Sequence, residues 1–123
     1  MIPKYIKKLQ SESRTLRARR VDAQTVIVES ETHPESYYEV TVKFNDAGVV
    51  YATCTCEWAK HNGVGCSHVL AALEYLAGLK ARTLSFWLDE NDARRQKHRT
   101  FTLIGDNQHN RIWITSRNSP DAA

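Results

Sequence analysis

No segment of this sequence approaches the roughly 18 to 20 consecutive apolar residues that a membrane-spanning helix needs. Its first residues, Met1-Ile2-Pro3-Lys4-Tyr5-Ile6-Lys7-Lys8, carry charge but no apolar h-region, so a signal peptide is not expected. Both absences point to the cytoplasm and away from a membrane partner. No internal repeat or low-complexity tract is visible. There is no glycine-rich phosphate loop and no Ser/His/Asp set in a recognisable context, so an enzyme is not expected. Asp89, Glu90 and Asp92 suggest a metal-dependent nuclease at first sight, but they read more simply as charges at a helix start. Cysteine is scarce: three in 123 residues, an odd number that cannot all pair.

What is present fits a soluble globular chain. The 41% hydrophobic and 25% charged content is ordinary. The length suits one domain with a small core that a metal staple would help. The formal net charge of +3 says little, but its distribution says more. Residues 1–20 carry seven basic side chains against one acidic; residues 21–79 carry two against eight; residues 80–123 carry eight against five. The ends are basic and the middle is acidic, so any surface for phosphates must come from the flanks.

The pattern predicts an α+β fold. Residues 4–20 read as a basic amphipathic helix, with Ile2, Tyr5, Leu9 and Leu16 on one stripe. Gln24–Ser30, Tyr37–Phe44 and Val49–Cys54 read as strands, the last two as a hairpin around Asn45-Asp46-Ala47-Gly48 with the first strand beside it. A small antiparallel sheet is expected. Residues 66–79 read as a helix with the stripe Val69, Leu70, Leu73, Leu76, Ala77 and a stop at Gly78. Residues 84–99 read as partly helical, because Asp89, Glu90 and Asp92 precede Arg94, Arg95, Lys97 and Arg99. Phe101–Ile104 and Arg111–Ser116 read as a second hairpin around Gly105-Asp106-Asn107. The expected organisation is a single domain, 1–123: basic helix 1–20, sheet and metal-binding segment 24–79, helix-and-hairpin extension 80–117, and flexible tail 118–123.

All three cysteines lie in Cys54-Thr-Cys56-Glu-Trp-Ala-Lys-His-Asn-Gly-Val-Gly-Cys66-Ser-His68. Three thiolates and one imidazole suit a single tetrahedral Zn2+. Cys54 and Cys56 at a strand end share one side, since alternate strand residues do. Cys66 at a helix start and His68 in its first turn close the other half, and Gly63 and Gly65 let the loop fold back. A closed Cys3His site has no open position for water, which makes the zinc structural rather than catalytic. The competing readings are buried small hydrophobes or reactive thiols. His61, mid-loop, reads as solvent-exposed rather than as a ligand.

Cys-x-Cys, nine residues, then Cys-x-His, preceded by a hairpin and followed by Val69-Leu70-Ala71-Ala72-Leu73, resembles a SWIM zinc finger. The resemblance covers about residues 37–79. It implies a ββα arrangement with Cys54, Cys56, Cys66 and His68 as ligands. It also implies a partner that is DNA in some members and another protein elsewhere.

Two basic clusters stand outside it: Arg14, Arg17, Arg19, Arg20, and Arg94, Arg95, Lys97, His98, Arg99. Each suits phosphate contact by charge and bidentate hydrogen bonds, or is simply a solvated face. Arg111 and Trp113 at alternate strand positions offer a cation and a stacking ring, or a half-buried ladder position. Trp87 and Phe101 read as core. The sequence therefore points to a non-enzymatic, zinc-stapled nucleic-acid-binding protein, DNA before RNA. The alternative is an interaction subunit of a larger DNA-processing or regulatory complex.

Overall fold

The computed structural model describes residues 10, 16–29, 37–45, 47–55, 66–105 and 112–118. Seven strands and two helices are seen among them: β1 Ala18–Arg20, β2 Thr25–Glu29, β3 Tyr37–Phe44, β4 Val49–Cys54, α1 Ser67–Gly78, β5 Arg82–Trp87, α2 Glu90–Arg94, β6 Arg99–Ile104 and β7 Ile112–Asn118. All seven strands join one sheet in the order β1-β2-β3-β4-β6-β7-β5. The fold is mixed α+β, and three expectations need correction. The sheet is not small, and it is not wholly antiparallel, because β4 and β6 pair in parallel. Ala18–Arg20 is a strand, whereas the sequence suggested the end of a helix; the rest of that helix lies outside the described residues except Gln10, Leu16 and Arg17. Of residues 84–99, expected to be partly helical, the first four belong to the strand Arg82–Trp87, and helix is confined to Glu90–Arg94.

Alternation explains the strands. On β2, β3 and β4 the buried residues Val26, Val28, Val40, Val42, Val50, Ala52 and Cys54 fall at every second position. On β5, Leu84 and Phe86 do the same. Pairing carries this face across the sheet: Val26 opposes Val40, Val42 opposes Ala52, Val50 opposes Leu103, and Ile114 opposes both Phe86 and Phe101. α1 lies on that face. It packs against β2, β3 and β4 and also against both edge strands, β1 and β5, so the sheet curls around it. The curl explains why Ala71 and Ala72, off the expected apolar stripe, are buried beside Val69, Leu70 and Leu73. Gln10 is also buried, and its side-chain amide donates to Glu74 Oε1 (3.0 Å) on α1 and to the Leu84 carbonyl (2.8 Å) on β5. Gly78 ends α1 as expected, but the left-handed residue of the following turn is Ala81, at φ 56°.

Two turns fix register. Between β3 and β4, the Asn45 Oδ1 accepts from the Ala47 and Val49 amides (2.9 and 3.0 Å), and Gly48 takes φ +78°, which a side chain resists. The Gly48 carbonyl then accepts from the Thr102 amide at 2.9 Å, tying the hairpin to β6. Between β1 and β2, the Asp22 carboxylate accepts from the Gln24 and Thr25 amides (2.8 and 2.9 Å). These bonds, the Gln24 amide first, hold its pKa below the ordinary value of 3.8. The turn therefore gains its stabilisation above that value and loses it as pH falls through the lowered folded pKa. An NMR titration of Asp22 should give a midpoint below 3.8; a midpoint at or above it would mean the turn is not closed this way.

Candidate metal centre and the opposite end of the sheet

The β3–β4 hairpin and the start of α1 meet at one end of the sheet. Cys54 is the last residue of β4 and is buried, opposite Val40 on β3. Cys66 is the N-cap of α1, with extended backbone, and its Sγ accepts from the Val69 amide at 3.4 Å. A helix start carries partial positive charge and suits a sulfur that ligates as thiolate. His68 lies in the first turn of α1. The Tyr38 ring of β3 packs on it at 4.2 Å between centroids, tilted by 36°.

The Sγ atoms of Cys54 and Cys66 and a ring nitrogen of His68 all lie within 4.8 Å of one another. Tetrahedral bonds of about 2.3 Å to sulfur and 2.0–2.1 Å to nitrogen require ligand separations of roughly 3.5–3.8 Å, so little closure is needed. His68 Nδ1 is buried with no hydrogen-bond partner among the described residues. A buried unpartnered nitrogen costs about 1–3 kcal/mol, a penalty that metal ligation removes. Two thiolates and an imidazole at this spacing fit a structural Zn2+. Cys56, His61, Trp58, Gly63 and Gly65 lie outside the described residues.

The basic residues are distributed differently. Strands β2, β4, β5 and β6 run toward the metal end, and β1, β3 and β7 run away from it. The termini that point away from the metal are the C-terminal ends of β1, β3 and β7 and the N-terminal ends of β5 and β6, and they are staggered: Arg20 is level with Val40 and Cys54, whereas Phe44 is level with Val50 and Leu103. Arg19 and Arg20 close β1, Lys43 and Phe44 close β3, Arg99 opens β6, and Arg117 nearly ends β7. All six are exposed. Lys97 and His98, also exposed, lead into β6. Glu29 and Glu39, by contrast, lie in the metal-side halves of their strands.

Individual basic residues differ in how committed they are. Arg82 bonds Ser116 Oγ (2.9 Å), the Ser116 carbonyl (2.8 Å) and Asn118 Oδ1 (2.7 Å), clamping β5 to β7. Arg94 pairs with Glu90 at 2.6 Å and Arg95 with Asp92 at 3.0 Å, the charge order read from the sequence. Such exposed pairs contribute about 0–1 kcal/mol and can be exchanged for a phosphate. Arg17 is exposed just before β1; Arg14 and Arg111 lie outside the described residues. Trp113 is half-buried and directly opposite Trp87, toward the metal end, away from the basic termini. The Trp87 indole donates to Thr115 Oγ1 at 3.0 Å.

Sequence reasoning did not single out Lys43 and Phe44. Their signal was weak: the last two residues of a strand before a turn, with a large aromatic at the exposed terminus.

The family model of the SWIM zinc finger matches residues 38–77. Neither a search of curated proteins nor one of solved structures found a match. The matched span contains Cys54, Cys66 and His68, which form the metal cluster, and Tyr38, whose ring packs on His68, and the chain thus carries a SWIM-type zinc finger at these residues.

Proposed function

We propose that the protein binds nucleic acid without catalysing a reaction, DNA before RNA. In this reading a single structural Zn2+, held by Cys54, Cys56, Cys66 and His68 in a ββα finger, fixes the sheet that presents the basic residues. The observation that supports it is the polarity of the sheet: exposed arginines and lysines of β1, β3, β6 and β7 stand at the strand termini that point away from the metal cluster. Residues far apart in sequence thus combine into one positive field, which steers a polyanion better than scattered charges do.

A salt-titrated binding assay against duplex DNA, single-stranded DNA and RNA tests this. Affinity should fall linearly in log–log form with a slope of about −0.9 per phosphate neutralised on duplex. Replacing Arg17, Arg19 and Arg20 together with glutamine should weaken binding to every sequence and flatten the slope by about one unit for each phosphate no longer gripped. Absence of binding to all three nucleic acids at low salt would sink the proposal. A second reading, a protein-interaction subunit, is favoured by the exposed apolar residues Val21, Phe44 and Leu79 at the same end.

A further inference from the structure

The sheet curls around α1, and several of its strand termini that point away from the metal carry exposed side chains. α1 begins at the metal cluster and stops at Gly78, and its C-cap Leu79 is 58% exposed. Strand residues that share the helix-facing side yet stay exposed at these termini form a rim along the sheet. Register identifies them. Arg20 opposes Val26, Phe44 opposes Val50, and Arg99 opposes Ser116, which in turn opposes Leu84. Val26, Val50 and Leu84 are core residues, so Arg20, Phe44 and Arg99 take the core-facing parity. Yet all three are exposed, and Phe44 at 63% is the most exposed of the large hydrophobic residues described.

Pairing sets Phe44 between the two arginines across the sheet: Arg20 is level with Val40, four residues along β3 from Phe44, and Arg99 stands four residues along β6 from Leu103, the residue level with Phe44. The Val42 amide donates to the Gln24 carbonyl at 2.8 Å, setting the β1–β2 turn beside the end of β3. The Gly48 carbonyl accepts from the Thr102 amide, setting the β3–β4 turn beside the start of β6. Phe44 therefore stands between Arg20, whose Nε donates to the Asp22 carbonyl of the β1–β2 turn at 3.0 Å, on one side and Arg99 on the other. The Arg99 guanidinium lies 4.9 Å from the Phe101 ring centroid, stacked on an aromatic rather than bound to a carboxylate in that contact.

We infer that this rim is a single-strand site in which Phe44 stacks on an unpaired base while Arg20 and Arg99 hold phosphates further along the strand on either side. This rests on the proposed nucleic-acid reading and narrows it. A ring presented beside cations suits a base and its phosphates, since every base has a π-face and every linkage a negative charge. Bases in a duplex are already stacked on their neighbours, so duplex engages the arginines and not the ring.

The test is fluorescence anisotropy with labelled oligothymidylate, the matching duplex and polyglutamate, on the zinc-loaded full chain. Wild type should prefer the single strand. Phe44→Ala should weaken oligothymidylate binding by about 5- to 150-fold and leave duplex binding unchanged. Phe44→Trp should restore the single-strand affinity. Arg20→Gln with Arg99→Gln should weaken both nucleic acids. Circular dichroism should be unaltered in every variant, since none of these side chains is buried. Unchanged oligothymidylate affinity in Phe44→Ala, with duplex still bound, overturns the stacking site and leaves nucleic-acid binding standing. No binding of either nucleic acid overturns both. Polyglutamate binding as tightly as oligothymidylate, and displaced by it, would identify the rim as a dock for an acidic protein and overturn the inference.

Discussion

Loss of the metal is expected to unfold the chain. Zinc in small structural sites contributes an apparent 10–16 kcal/mol, which matches or exceeds the roughly 5–15 kcal/mol that separates folded from unfolded in most domains. The cluster sits where it matters most, joining the end of β4 to the first turn of α1, the helix around which the whole sheet curls. Stripped of the ion, two buried sulfurs and a buried imidazole nitrogen are left facing one another. Dialysis against a strong chelator should therefore abolish the native circular dichroism, and readdition of one equivalent of zinc should restore it. Cys66 allows a sharper version, because it is N-cap, core residue and ligand at once. Serine is a favoured N-cap whereas alanine is not, a difference of about 1 kcal/mol. If ligation dominates, Cys66→Ser and Cys66→Ala should be almost equally disruptive, as should His68→Ala. A metal-free preparation that still melts cooperatively at the wild-type temperature would falsify the structural role.

The second large effect lies outside the matched finger. Phe86→Ala should cost about 3–5 kcal/mol and lower Tm by about 10–20 °C. Phe86 is fully buried on β5, with Ile114 of β7 directly opposite. It belongs to the same apolar cluster as Leu70 of α1 and Val40 of β3. Removing its ring leaves a cavity that neighbours on two strands and a helix cannot fill without moving the zinc-bearing hairpin. The transition should stay single when followed by far-ultraviolet dichroism and by tryptophan fluorescence. A destabilisation below about 1 kcal/mol, or two separate transitions, would mean that β5–β7 fold apart from the finger and the shared core is nominal. Phe44→Ala is the internal control, because an exposed ring should change stability by no more than about 0.5 kcal/mol.

Local pattern carried β3, β4 and α1 because each is long and strongly periodic, and the turn at Asn45–Gly48 has its own chemistry. The two thiols and the histidine of the described cluster were equally legible, since ligand spacing is a local property. The charge order of α2 was legible too: Asp89 caps it and Glu90 and Asp92 pair with Arg94 and Arg95, over only five residues. β5 was not legible as a strand. In Arg82-Thr-Leu-Ser-Phe-Trp-Leu, Leu84, Trp87 and Leu88 fit a helical stripe as well as Leu84 and Phe86 fit a strand, and only burial separates the two. β1 had no apolar alternation to offer; Ala-Arg-Arg is extended because β2 pairs with it. Sheet order was illegible for a different reason. The placement of β6 beside β4 joins residues about fifty apart in sequence, and no local propensity encodes it. Which strand terminus carries each basic residue, and how those termini are staggered, follows from that order, so the sequence showed the charges but not their placement.

The parallel seam between β4 and β6 also bears on modularity. SWIM-type spans look like portable cassettes, and residues 38–77 invite excision for fusion to another domain. In this chain the outer side of β4 is not a finished surface. Its Val49–Tyr51 backbone is paired with Thr102–Ile104. A cassette cut after α1 would carry a bare row of N–H and C=O groups beside the apolar residues Val50 and Ala52, the kind of edge that recruits strands from neighbouring molecules. A soluble transplant must bring a strand equivalent to β6 with it, or place lysine or proline along the outward positions of β4.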